Sequence, residues 1–113
     1  MKYDAVIIGA GVVGCAAARE LSRYDLDILV IDRESDVCEG TSKSNSAIIH
    51  AGFDAAPGTL KAKLNVQGNA MMDKLSVELD IPFRRSGAMV VCREESELAK
   101  LEELLERGKT NGV

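Results

Sequence analysis

Three glycines open the chain's chemistry. Gly9, Gly11 and Gly14 stand in the spacing G-x-G-x-x-G, with Ala10, Val12 and Val13 between them. Gly9 suits a tight strand-to-helix turn, Gly11 lets the main chain lie against a pyrophosphate, and Gly14 lets a helix pack near a strand. A helix that starts at Val12 turns unpaired N–H groups and the positive end of its dipole toward phosphates. Asp32 closes the next apolar run, where its carboxylate can accept hydrogen bonds from ribose hydroxyls and would repel a 2′-phosphate. These residue types in this order are those of a dinucleotide site without a 2′-phosphate.

Strand and helix signals surround these residues. Asp4 to Ile8 is an apolar run that stops at glycine, as a buried parallel strand does. Val12 to Tyr24 reads as a helix with Val13, Ala17 and Leu21 on one face, and Gly14 and Ala18 allow that face to approach a sheet. Leu26 to Asp32, "LDILVID", is a second buried strand. Strand, glycine turn, helix and strand make one βαβ unit, so the fold class is α/β, the start of a Rossmann-like domain.

Beyond Asp32 the segment "RESDVCEGTSKSNSAIIHAGFDAAPG" is rich in Ser, Gly and Thr and reads as loop. Thr59 starts an amphipathic helix with Leu60, Leu64, Met71, Leu75 and Leu79 near helical spacing. Ile81 before Pro82 ends it, being pushed out of the helical region. The spacing then predicts a strand at Ala88–Cys92 and a helix over Ser96–Arg107 with Gly108 as its stop. The Leu and Met stripes are expected to be core-facing seams.

Composition sets limits. The chain has 113 residues, 46% hydrophobic and 28% charged, as one globular domain requires. A net charge of -4 gives no electrostatic footing for nucleic acid or an anionic membrane. Cys15, Cys38 and Cys92 are odd in number and widely spaced, which fits neither a disulfide framework nor a zinc site, and a reducing cytoplasm suits them. No metal is expected. Lys2 and the following apolar run resemble a signal peptide only loosely, since Asp4 and the three glycines break the pattern. The run from Ala5 to Ala18 is too short to cross a bilayer.

The segment after Asp32 bears on which dinucleotide is bound. A domain for a nicotinamide cofactor would continue with a regular helix and a third parallel strand. "EGTSKSNSAIIHAGF" instead offers small hydroxyl residues and accessible backbone N–H groups, which suit a second pass of chain against a pyrophosphate. On the residues alone, a solvent loop explains it equally well.

The combination of "DAVIIGAGVVGCAAARELSRYDLDILVIDRE", "GTSKSNSAIIHAGFD" and "PGTLKAKLNVQGN" resembles the N-terminus of the D-amino-acid-oxidase-type FAD-dependent oxidoreductases. Within that family it is similar to bacterial glycerol-3-phosphate dehydrogenases and to L-2-hydroxyglutarate oxidases, and the likeness extends through "IPFRRSGAMVV". The resemblance implies that FAD is the cofactor, with its pyrophosphate on Gly9, Gly11, Val12, Val13 and Gly14 and its adenosine ribose at Asp32 and Arg33. It implies that Gly40, Thr41 and Ser42 approach the phosphates and ribityl chain, and that Asn45, Ser46, His50, Ala51 and Gly52 run toward the flavin ring. One departure stands out. Membrane-associated glycerol-3-phosphate dehydrogenases usually carry an arginine for the substrate phosphate soon after the matching His-x-Gly, and this chain has Phe53-Asp54-Ala55.

The resemblance therefore implies oxidation of a small α-hydroxy acid or polyol phosphate, glycerol 3-phosphate first and L-2-hydroxyglutarate second, with electrons passed to an unidentified acceptor. The cofactor would carry the redox chemistry and the protein would orient the substrate. An inactive nucleotide-binding fragment is the alternative from a different class. Residues 1–60 are expected to form the FAD-binding segment and residues 61–113 the start of a substrate or cap region. Two parallel strands are fewer than a Rossmann-like half needs. The 113-residue chain alone is therefore expected not to turn over substrate. Mixing it with FAD, an artificial electron acceptor and each candidate substrate tests this, and substrate-dependent reduction at an enzyme-like rate would refute it.

Overall fold

The computed structural model describes residues 2–113. The chain divides into two compact units, one ending at Ile48 and the other spanning Ile49–Val113. The first unit is the expected βαβ: β1 (Ala5–Ile8), α1 (Val12–Leu21) and β2 (Ile28–Ile31). The strands are parallel, with Ala5 opposite Ile28 and Ile8 opposite Ile31. The ladder runs on at both ends, where Asp4 N donates to Asp27 O at 2.9 Å and Gly9 N donates to Ile31 O at 2.7 Å.

The turn from β1 into α1 depends on two glycines. Gly9 has φ +106°, a conformation that side chains rarely adopt. A Cβ on Gly14 would lie 1.9 Å from the Gly9 carbonyl oxygen and 3.3 Å from Ile7 Cγ2. The first turn of the helix therefore lies in direct contact with the main chain of the Gly9 turn and beside the Ile7 side chain of β1. The face that meets the sheet is Gly14, Ala18 and Leu21, whereas Val13 and Ala17 point to solvent, contrary to the apolar spacing. Close approach requires small residues and displaces the branched one. The helix also stops at Leu21 rather than Tyr24, because Tyr24 N turns back to Leu21 O at 3.0 Å, tighter than an α-helical bond. α1 covers one face of the sheet only. Ala5 and Ile7 are half-buried beside it, and Ile8 is 84% exposed.

The second unit holds α2 (Leu60–Glu78), a short 3₁₀ turn (Glu95–Glu97) and α3 (Leu98–Asn111). Thr59 caps α2: its hydroxyl accepts from Ala62 N at 3.2 Å and donates to Ala56 O at 2.7 Å. Three expectations fail in this unit. The leucine stripe as a whole is not its seam, since Leu60, Leu64, Met71 and Leu79 are exposed and only Leu75 of the five is half-buried, while Ala62, Asn65, Val66 and Asn69 face inward. Gly108 does not stop α3. It is buried within the helix, where a Cβ would press on Phe53 Cβ at 3.3 Å, and Gly112, in the left-handed conformation, ends the helix instead. Ala88–Cys92 forms no strand, because no other strand among the described residues pairs with it, and Met89 is 85% exposed.

Gly14→Ala is the sharpest test of the first unit. The new methyl group meets main chain that cannot move without breaking the turn, so the substitution should destabilise the βαβ unit by about 2 kcal/mol or more. Denaturant unfolding followed by circular dichroism measures this, and an unchanged midpoint would show that α1 does not lie so close to the Gly9 turn.

Candidate functional site

In the first unit the site is built around Ala10, which is 5% exposed. Its N–H donates to Asp32 Oδ2 at 2.6 Å. Its carbonyl accepts from Cys38 N at 2.9 Å and from the thiols of Cys15 and Cys38 at 3.4 Å and 3.7 Å. Both main-chain groups of this residue are thus engaged, as burial demands. The other oxygen of Asp32 accepts from Glu34 N at 3.0 Å. The hydrogen bond from Ala10, then that from Glu34, holds the Asp32 carboxyl below its usual range. Sequence reasoning put Asp32 at a ribose; the structure also gives it the task of holding the glycine loop against the end of β2. A carboxylate has about four acceptor directions, so these main-chain bonds do not exhaust it. Arg33 reaches outward and pairs with Glu34 at 2.9 Å.

The second stretch of small residues returns to the first. Ser42 Oγ accepts from Val12 N at 2.9 Å, which satisfies one of the orphan donors at the start of α1. A Cβ on Gly11 would stand 3.1 Å from that same hydroxyl oxygen. The N–H groups of Val13 and Gly14 have no intrahelical acceptor by the geometry of a helix start. Val12 and Val13 are exposed, so the N-terminus of α1 is open. A helix start with free donors, no Cβ at Gly11 and a hydroxyl already seated there fits a pyrophosphate. Asn45 shapes the returning loop, donating to Thr41 O at 3.2 Å and Ser42 O at 2.8 Å and accepting from Ala47 N at 2.7 Å. Gly40, Thr41 and Ser46 are exposed on the same loop.

His50, Ala51 and Gly52 belong to the second unit. His50 is exposed, and its carbonyl accepts from Asn69 Nδ2 at 3.1 Å. Asn69 is gripped in turn by Arg85, whose Nη1 donates to Asn69 Oδ1 at 2.8 Å and Nη2 to Asn69 O at 3.1 Å. Arg85 also makes two bonds of 2.7 Å to Asp73 and lies 5.4 Å from the centre of the Phe83 ring. This pairing lowers the Asp73 pKa and raises that of Arg85. Both groups are exposed, so the pair fixes geometry more than it adds stability. Ala10, Asn69 and Arg85 were not singled out by the sequence. Their partners lie too far along the chain for spacing to reveal them.

The Asp32 bond gives a pH prediction with a definite sign. The folded-state pKa is depressed, so the Ala10–Asp32 bond and its contribution to stability are complete above the ordinary aspartate range of about 4. They are lost as pH falls through the lowered value. The Ala10 amide proton in NMR spectra should hold its position between neutral pH and pH 5, then move upfield in stronger acid. A midpoint above the ordinary range would contradict the geometry.

Residues 4–113 match the family model of the FAD-dependent oxidoreductases. The chain is 54% identical over 111 residues to a glycerol 3-phosphate dehydrogenase of Caloramator mitchellensis, covering 98% of this chain and 23% of that protein. It is 40% identical over 113 residues to the mitochondrial L-2-hydroxyglutarate dehydrogenase of Caenorhabditis briggsae, covering 98% of this chain and 26% of that protein. The dithionite-reduced L-alpha-glycerophosphate oxidase of Mycoplasma pneumoniae, solved with FAD bound, superposes with a TM-score of 0.84 at 34% identity, over 100% of this chain and 30% of that one. The chain thus spans roughly a quarter of the length of the curated relatives it matches. None of the described helices is long and apolar enough to cross a membrane. A helix start open to a pyrophosphate, set in a βαβ unit, agrees with the match along residues 4–113, and the chain belongs to the FAD-dependent oxidoreductase family.

Proposed function

We propose that the polypeptide carrying this chain binds FAD and oxidises a small α-hydroxy compound, with glycerol 3-phosphate as the foremost substrate. The 54% identity to a glycerol 3-phosphate dehydrogenase carries the substrate assignment. The open start of α1, with Ser42 Oγ on Val12 N, supports the cofactor assignment. In this reading Gly9, Gly11, Val12, Val13 and Gly14 hold the pyrophosphate, and Asp32 and Arg33 hold the adenosine ribose. Gly40, Thr41, Ser42, Asn45 and Ser46 line the remainder of the cofactor's path, with His50, Ala51 and Gly52 toward the flavin ring. Residues 1–60 form the cofactor segment and residues 61–113 begin the substrate region. FAD, when bound, supplies a two-electron acceptor for the substrate C–H bond. The protein's part is to hold the cofactor by main-chain donors and to orient the substrate. The cytoplasm is the compartment proposed, and the electron acceptor is left open.

A second substrate reading has its own support. Asp54 follows the His-x-Gly stretch, and a carboxylate there does not bind a phosphate directly. Relatives that act on L-2-hydroxyglutarate match the chain at about 40% identity. Turnover assays of the full-length polypeptide with each substrate and a dye acceptor decide between them, and activity on neither refutes both.

Two substitutions test the cofactor assignment in that polypeptide. Asp32→Ala removes the Ala10 anchor and the ribose acceptor together, and should weaken FAD binding, read as a raised dissociation constant in flavin fluorescence titration. Gly11→Val should abolish binding more completely, because its side chain fills the space at the helix start where Ser42 Oγ sits 3.1 Å from a Cβ. A Gly11→Val protein that purifies with full flavin would overturn the placement of the pyrophosphate.

A further inference from the structure

We propose that Asn111, at the last turn of α3, is a positioning residue that sets the His50–Ala55 turn for reaction. The inference rests on the reading of that turn as flavin-proximal, and it adds a residue which neither motif nor resemblance marked. Asn111 Nδ2 donates to Gly52 O at 2.9 Å and to Ala55 O at 2.8 Å. An amide nitrogen carries two hydrogens, so both are committed to carbonyls three residues apart in the turn. One planar group thereby sets the spacing and direction of two peptide units.

The rest of the turn is held from the same side. Arg107 Nη1 donates to Asp54 O at 2.9 Å, and Arg107 is itself braced by Glu103. Phe53 rests on Gly108, where a Cβ would come within 3.3 Å of Phe53 Cβ. Ala55 is 2% exposed. From the other side, Asn69 holds His50 O, and a Cβ on Gly52 would lie 2.9 Å from Val66 Cγ2. The carbonyls of His50, Gly52, Asp54 and Ala55 are therefore each fixed by a side chain of α2 or α3. The side chains of His50 and Asp54 are left exposed. Such a turn presents its side chains from a rigid main chain, and a small shift in a turn of this kind changes reactivity without changing whether the protein folds.

The chemistry requires a donor at position 111. Asn111→Asp keeps the shape and replaces both N–H groups by a charged acceptor that faces two carbonyl oxygens. Asn111→Ser keeps a single donor on a shorter side chain. The test uses the full-length polypeptide and reads FAD affinity, the position of the flavin visible band, and kcat/KM with the active substrate. For Asn111→Asp we expect a fall in kcat/KM of about tenfold or more and a displaced visible band, with FAD affinity within about twofold of wild type. Asn111→Ser should lose about threefold, and it carries the test alone where the aspartate variant does not fold. Parallel loss of FAD affinity and kcat/KM would make Asn111 a general structural residue and overturn the proposal, as would kinetics and spectrum unchanged in both variants. Wild-type protein that takes up no flavin overturns the flavoenzyme reading, and the positioning role with it. Active wild type with indifferent variants overturns the positioning role alone.

Discussion

The Gly9 carbonyl occupies the space that a side chain at position 14 would need. Everything at the start of the chain follows from this contact. Because α1 touches the main chain of the turn that leaves β1, its N-terminus opens at the strand end and its first N–H groups are aimed where an anion can reach them. The same closeness buries Ala10, and a buried peptide must have both its polar groups satisfied. Asp32 takes the N–H and Cys38 takes the carbonyl. The acid at the end of β2 and the loop that follows it are thereby drawn to the glycine turn. One steric constraint thus organises helix, loop and carboxylate together.

The second unit is organised by a different demand. Its central feature is a turn, and a turn exposes carbonyl groups to which no neighbouring strand donates. Donors on α2 and α3 answer that need: Asn69 at His50, Arg107 at Asp54, and Asn111 at Gly52 and Ala55. Helix faces that meet such a turn must be small or must donate. Ala62, Asn65 and Asn69 accordingly face inward on α2 with Val66 and Leu75 beside them, while Leu60, Leu64 and Met71 remain on the open side.

Many apolar side chains of both units are uncovered. Ile8, Val13, Val77 and Met89 each expose at least 80% of their surface. A parallel sheet is ordinarily covered on both faces, and here α1 covers one. The units therefore rest on backbone hydrogen bonding and close approach more than on a packed apolar core, with alanines its only fully buried hydrophobic residues among those described. This explains why glycine and hydrogen-bonding residues carry most of the specificity.

By itself the sequence determined the local elements, because local signals are local physics. The spacing Gly9, Gly11, Gly14 dictated strand, turn and helix; Thr59 and Pro82 bracketed α2; and the apolar runs ended where the strands end, within two residues. The motifs also sufficed for the family. Tertiary structure decided whatever depends on a partner. The apolar stripe of α2 said which residues are hydrophobic and not which face would meet a turn hungry for donors. "AMVVC" has strand composition, but a strand needs a neighbour to bond with, and it has none among the described residues. Gly108 looked like a helix stop because glycine commonly is one, until Phe53 required the space beside it. Ala10 has no side-chain chemistry at all, and Asn111 lies 59 residues from Gly52 in the chain. Hydrogen bonds across such separations leave no periodicity, so only the folded chain reveals them.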